Sequence, residues 1–233
     1  MYLIVGLGNP GEEYAGTRHS IGREILLAAQ KKFGLPEFAP NAKLQAWVSE
    51  GKISKERVVL LLPETFVNKS GNAVGPTLRA YKIKPRNLVL IHDDVDILLG
   101  GTKLSFGRSS AGHKGVESVM RAVKTKDFWR MRIGVQKKRR VPGENLVLQK
   151  FRGDELTTVK KIIKKVKPAT VYIETTKGAG SGMIIDANGY ILTNAHVVWD
   201  VSAAKIKLSD GELGLGQSPG GGQRIPEGNR VES

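Results

Sequence analysis

Residues 3–22 read LIVGLGNPGEEYAGTRHSIG. The apolar run Tyr2–Leu7 breaks into Gly8-Asn9-Pro10-Gly11, which is turn chemistry, and a helical pattern follows from about Ser20 to Phe33. Ile21, Ile25, Leu26 and Ala29 share one face of that helix, and Gly34 stands just past its end. Strand, glycine loop and helix in this order open an α/β protein. Gly6-Leu7-Gly8-Asn9-Pro10-Gly11 also matches G-x-G-x-x-G after a strand, so a dinucleotide site has to be weighed. Two features oppose it. A Rossmann unit needs a second strand ending in an acidic residue about 20 residues on, whereas Lys31–Phe38 is KKFGLPEF. Pro10 also removes an N–H where a pyrophosphate needs donors.

Outward from this unit the alternation continues. Leu44–Ser49 and Arg57–Leu62 read as strands, Gly71–Tyr81 as a helix, and Leu88–Ile91 as a short buried strand running into His92-Asp93-Asp94. Lys103–Phe106 reads as a strand, Gly115–Val123 as a helix and Trp129–Val135 as a strand. Asp154 is placed to cap a last helix carrying Leu156, Val159, Ile162, Ile163 and Val166 at helical spacing. The expected fold class is α/β: a three-layer α/β/α sandwich with a mixed central sheet over residues 1–167. Near Pro168 the texture changes. Val171–Glu174, Met183–Ile185 and Ile191–Thr193 read as short strands between glycine-rich turns, a β-rich fragment over 168–211. The composition of residues 212–233, mostly Gly, Pro, Gln and charge, predicts a disordered tail.

The chain has 233 residues and no Cys, which excludes disulfides, thiolate zinc sites and cysteine nucleophiles. No apolar run approaches the roughly 20 residues of a membrane span, and the chain opens on a strand with neither a charged leader nor a cleavage site. The expectation is a cytoplasmic protein without a membrane partner. Charge is uneven. Residues 1–167 hold 32 Lys and Arg against 15 Asp and Glu, while 168–233 hold five against seven. A basic surplus of this size attracts polyanions, nucleic acid above all, although a generally lysine-rich surface gives the same count.

Five segments carry polar groups at strand ends or in small-residue loops: Asn9, His19 in Thr17-Arg18-His19-Ser20, Asn68 in Phe66-Val67-Asn68-Lys69-Ser70-Gly71, Asp93 at the end of a buried strand, and His113-Lys114 in Ala111-Gly112-His113-Lys114-Gly115. In open α/β sheets such positions converge on one crevice. An imidazole, a carboxylate and two carboxamides there make a hydrolytic kit of base, orienting group and oxyanion donors. Singly, each has a plainer reading: a cap, a solvated residue or a loop tie. Together their spacing favours function.

The stretches LIVGLGNPGEEYAGTRHSIG, LLPETFVNKSGNAV, IHDDVDILLGGTKLSFG, AGHKG and FWRMRIGV, in order across roughly residues 1–166, closely resemble bacterial peptidyl-tRNA hydrolase. The resemblance implies an enzyme that cleaves the ester between peptide and tRNA and so recycles tRNA, a monomer needing neither metal nor organic cofactor and with no DNA partner. It implies His19 as the base that activates water, Asp93 as the acceptor of its other ring N–H, and Asn9 beside the ester. Tyr14, Phe66 and Asn68 would bind the peptide and terminal nucleotide, and His113 and Lys114 would border the cleft. Lys114 departs from the asparagine common in the family's G-H-N-G loop. An ammonium only donates where a carboxamide also accepts. Ser20 likewise replaces a common asparagine. Lys103, Arg130 and Arg132, with the run Lys137-Lys138-Arg139-Arg140, are the expected tRNA phosphate contacts. The alternative is a tRNA- or ribosome-binding module that has lost turnover.

Residues 168–211, with VYIETTKGAGSGMIIDANGYILTNAHVV, resemble the first strands of the trypsin-like domain of HtrA-type proteases, and His196 matches that family's triad histidine. A triad in this order needs its serine about a hundred residues further on, and only 37 residues remain. Ser218, in Gly216-Gln217-Ser218-Pro219-Gly220, is too close, and Pro219 departs from the family's glycine. The segment reads as half a small barrel, from a truncated or fused frame, and proteolysis is not expected.

Overall fold

A computed structural model of the chain buries every residue of strand β1 (Tyr2–Gly6), as an unbroken apolar run demands of a parallel strand covered on both faces. The structure describes residues 1–53, 56–165, 170–176, 178–184, 191–193, 201–207, 213–217 and 231–232. They divide into two compact units, one of Met1–Lys52 and Arg57–Lys164, the other of Ile53–Glu56 and Lys165–Ser233.

In the first unit the elements follow as α1 (Ile21–Lys32), β2 (Ala39–Asn41), β3 (Ala46–Ile53), β4 (Glu56–Pro63), α2 (Gly71–Ala80), β5 (Leu88–Leu98), β6 (Thr102–Phe106), α3 (Lys114–Val123), β7 (Trp129–Gln136), α4 (Gly143–Leu146) and α5 (Asp154–Lys165). Seven strands form one sheet in the order β2-β3-β4-β1-β5-β7-β6. Strand β1 runs parallel to β4 and β5, and β5 parallel to β7, while β2 with β3 and β6 with β7 are antiparallel edge pairs. The sheet is therefore mixed, as expected.

Strand alternation sorts the two faces. Leu3, Val5, Val59, Leu61, Leu88 and Leu90 join Ala73 and Val74 of α2 and Val116 and Val119 of α3 in one core. Gly6 faces α1 instead, where a Cβ would meet the Gly22 carbonyl oxygen at 2.5 Å. Gly22 is just as constrained: a Cβ there would lie 2.2 Å from the Ile91 oxygen and 2.7 Å from the Leu7 oxygen. These two glycines let the backbones of α1, β1 and β5 touch.

Several expectations are corrected. Strand β5 does not stop before Asp93 but runs on to Leu98, because its pairing with β7 continues past Asp94 through a register irregularity. Asp154 is the first residue of α5 and not a cap ahead of it; Gly153, at φ 53°, precedes it. The β2 strand and the single turn α4 were not foreseen, being too short to show a period.

The second unit contains β8 (Thr170–Thr175), β9 (Gly178–Ile184), β10 (Ile191–Thr193), β11 (Ala203–Lys207), β12 (Leu213–Gln217) and β13 (Val231–Glu232). Its sheet has the order β10-β9-β8-β11-β12-β13, with antiparallel neighbours throughout. The tail expected to be disordered thus supplies two strands: Leu213–Gln217 aligns with Ala203–Lys207 along its whole length. Backbone pairing of this kind needs few large side chains, which is why composition missed it. His196 and Ser218 lie outside the described residues.

Candidate active site

His19 sits in a 3-10 turn, Arg18–Ser20, that runs directly into α1. The turn is held from behind. The Arg18 N–H donates to the Gln149 carbonyl at 3.0 Å and the His19 N–H to the Val147 carbonyl at 2.8 Å. The Arg18 side chain is fully buried, stacks on the Phe151 ring at 4.7 Å and pairs with Glu155 of α5 at 2.6 Å. Sequence reading passed over Arg18, since nothing in Thr17-Arg18-His19-Ser20 marks the arginine as a buried member.

The centre of the site is Asp93, whose side chain is 2 % exposed. Its Oδ1 accepts from His19 Nδ1 at 2.8 Å and from His113 Nε2 at 3.0 Å. With Nδ1–H spent on the carboxylate, His19 keeps Nε2 to take a proton. Burial works against the imidazolium of His19, but the charge and hydrogen bond of Asp93 outweigh it and raise the pKa above the ordinary value. Burial likewise opposes ionisation of Asp93, and the two imidazoles bonded to it prevail, holding its carboxyl well below the usual carboxylate range.

His113 is the N-cap of α3. Its Nδ1 accepts from the N–H groups of Gly115 at 3.1 Å and Val116 at 3.2 Å. His92, also unforeseen, is buried beside it: the rings meet edge-on at 4.6 Å, and His92 Nδ1 donates to the Asp93 carbonyl at 2.7 Å. Burial, together with the neighbouring His113, drives the His92 pKa down to about 3, so this ring is neutral. The signal available was the triplet His92-Asp93-Asp94 at the end of an apolar run.

The remaining residues gather through backbone packing. A Cβ on Gly8 would lie 2.7 Å from Ser20 Cα, so the first loop rests on the turn that carries His19. Asn9 Oδ1 accepts the Val67 N–H at 2.8 Å, tying that loop to the next. A Cβ on Gly115 would lie 2.8 Å from Val67 Cγ2, so the Val67–Lys69 turn packs on the start of α3. The rings of Tyr14 and Phe66 meet edge-on at 6.3 Å, with Phe66 55 % exposed. Asn68 and Lys114 stand exposed on the same two elements.

The expected phosphate contacts separate. Lys103 is exposed on β6 and stands opposite Arg132, whose Nε donates to Asp94 at 2.6 Å. Arg130 is corrected. It is 1 % exposed, with its guanidinium on the Ser109 carbonyl at 2.9 Å and over the Phe128 ring, beyond the reach of a phosphate. Strand alternation places it one residue pair along the same face as Arg132 but beneath the surface.

His19, Asp93 and His113 bring two ring nitrogens and a carboxylate oxygen within 4.8 Å of one another, the spacing of a metal site. The protons do not fit that use. Metal at these atoms requires both N–H groups to be lost, and His113 would have to become an imidazolate because its Nδ1 lone pair is already engaged by α3. The set is built for hydrogen bonds.

A histidine held by a carboxylate buried within the central strand β5 of an α/β sandwich, with a fixed carboxamide nearby, defines a hydrolytic enzyme of the general-base class. The peptidyl-tRNA hydrolase family model matches residues 3–183. The chain is 35% identical over 175 residues to the peptidyl-tRNA hydrolase of Alkaliphilus metalliredigens, covering 75% of this chain and 92% of that protein. It is 40% identical over 174 residues to the one of a Mycobacterium species, strain KMS, covering 72% and 88%. The crystal structure of peptidyl-tRNA hydrolase from Acinetobacter baumannii superposes with a TM-score of 0.66 at 33% identity, covering 71% of this chain and 84% of that one. The chain belongs to the peptidyl-tRNA hydrolase family.

Proposed function

We propose that this chain hydrolyses the ester between peptide and tRNA in peptidyl-tRNA, with His19 as general base oriented by Asp93. The observation that carries the reading is the 2.8 Å bond from His19 Nδ1 to Asp93. His19 Nε2 takes a proton from water as the water oxygen bonds to the ester carbonyl carbon. The carbonyl becomes an oxyanion, and the Nδ2–H groups of Asn9 are its donors, since Asn9 Oδ1 is committed to Val67. Collapse breaks the bond to the ribose oxygen, which leaves with the proton returned by His19. Free tRNA and a peptide carboxylic acid result. An alkoxide leaves far more readily than an amide nitrogen, so one histidine and one carboxylate suffice.

Tyr14 and Phe66, paired at 6.3 Å, supply an aromatic wall for the peptide or terminal base. Asn68, His113 and Lys114 edge the same cleft, and Lys103 and Arg132 meet tRNA phosphates. The enzyme acts as a cytoplasmic monomer on RNA and not on DNA. No helix among the described residues is long and apolar enough to cross a membrane. The hydrolase is assigned to residues 1–167, with 168–211 a protease-like fragment of HtrA type and 212–233 a tail, neither contributing to catalysis.

The test is release of free tRNA from an N-blocked aminoacyl-tRNA, with chelator present, beside the same tRNA with a free amino group. Multiple turnover confined to the blocked substrate is expected. Stoichiometric binding without turnover would establish a tRNA-binding module in place of an enzyme.

A further inference from the structure

Asp93 Oδ1 serves two imidazoles, and only one of them, His19, has work in the reaction above. The other, His113, has its protonation written by its neighbours. Its Nδ1 accepts from Gly115 and Val116 N–H groups, two of the donors that the start of α3 leaves without intrahelical partners. An imidazole that accepts through Nδ1 carries its proton on Nε2, and that proton points at Asp93. The bonds around the ring thus make Nδ1 the acceptor and Nε2 the donor. The charged and titratable groups packed against the cluster are Asp93 and His92 from β5, His19 from the turn before α1 and Arg130 from β7, while Lys114, next along α3, is exposed. His92 backs the His113 ring edge-on and offers it no hydrogen bond.

We infer that His113 is a positioning residue for the general base, and not chiefly a substrate contact: it carries the hydrogen-bonding of the α3 N-terminus onto Asp93 Oδ1, fixes the carboxylate and shares the oxygen that holds His19. Sharing has a consequence. A carboxylate oxygen accepting two N–H bonds stabilises the His19 imidazolium less than one accepting a single bond. His113 therefore keeps His19 willing to release its proton to the departing ribose oxygen. The inference rests on His19 being the base.

Two variants separate capping from donation in the full-length protein. His113→Asn keeps a good N-cap but is too short to donate to Asp93. His113→Gln restores an N–H at about the position of Nε2 but loses the cap. If His113 positions the base, H113N lowers kcat roughly 10- to 100-fold with KM nearly unchanged, and its acid limb in the pH–rate profile moves to higher pH. H113Q keeps most of kcat and loses thermal stability instead. The reverse pattern, H113N active and H113Q dead, would overturn the inference, as would a rise in KM alone in H113N, which marks a substrate contact. The His19 ring titration, followed by NMR in the same proteins, reads the effect without turnover. An upward shift of the His19 midpoint in H113N supports the positioning role even if no variant hydrolyses substrate, in which case the hydrolase reading is what fails. An unchanged midpoint overturns the positioning role however active the wild type is.

Discussion

At the scale of single residues, the proposed role of His19 as general base makes its raised pKa set the expected working pH range. A general base has to be unprotonated, so activity rises with pH and levels off only above the ordinary histidine value of about 6.5. A pH profile of kcat/KM on a blocked aminoacyl-tRNA checks this, and a plateau already reached below pH 6 would contradict it. His19→Ala is expected to lower kcat by ~10²–10⁴-fold while tRNA affinity, measured by filter binding, stays near wild type. His92 acts on stability with the opposite sign to His19. Its folded-state pKa is depressed to about 3, so between about pH 6.5 and 3 the unfolded chain takes up a proton that the native chain refuses. Stability therefore falls as pH falls through that window. His19, with its raised value, contributes stability below about pH 6.5 that is lost as pH rises through its folded pKa. Urea unfolding across pH 3–7 should show the acid-side loss, and His92→Phe should flatten it.

At the scale of elements, α1 and its preceding turn decide whether His19 meets Asp93. Gly22→Ala would place a methyl 2.2 Å from the Ile91 oxygen, which only a displacement of α1 can relieve. Activity and Tm are expected to fall together, and an active, wild-type-stable G22A would show that α1 has room that the packing denies. Glu155→Gln leaves the buried Arg18 without its counter-ion. Because Glu155 is partly exposed, the cost should not exceed about 3 kcal/mol, and turnover should drop as the clamp behind His19 loosens. Much of this was legible in the residues: the apolar face of α1, the glycine loop before it, and the meeting of His19 with Asp93. What escaped was relational. Nothing in Ala111-Gly112-His113-Lys114-Gly115 says that an imidazole caps its own helix and reaches a carboxylate 20 residues earlier. Nor does alternation along Trp129-Arg130-Met131-Arg132 say which arginine is covered, because that depends on the Ser109 carbonyl and the Phe128 ring meeting Arg130.

At the scale of the whole molecule, the basic surplus of residues 1–167 should make tRNA binding strongly salt-dependent, by ~0.7–0.9 log units per tenfold salt for each phosphate neutralised. Lys103→Ala should reduce that slope by one such step. Arg130→Ala should leave the slope alone and lower Tm, since its guanidinium holds a loop carbonyl and not a phosphate. Equal slopes for K103A and the wild type would remove Lys103 from the interface. The order of the sheet carries one more consequence, for synthesis. His19 and Asp93 are 74 residues apart, and the strand bearing Asp93 adds to the sheet beside β1, the first strand made. A chain emerging from the ribosome carries His19 long before Asp93, and the α3 cap comes later still. Such distant pairings close slowly, so the pairing of the proposed base with its carboxylate is expected to form only once translation has moved well beyond β5.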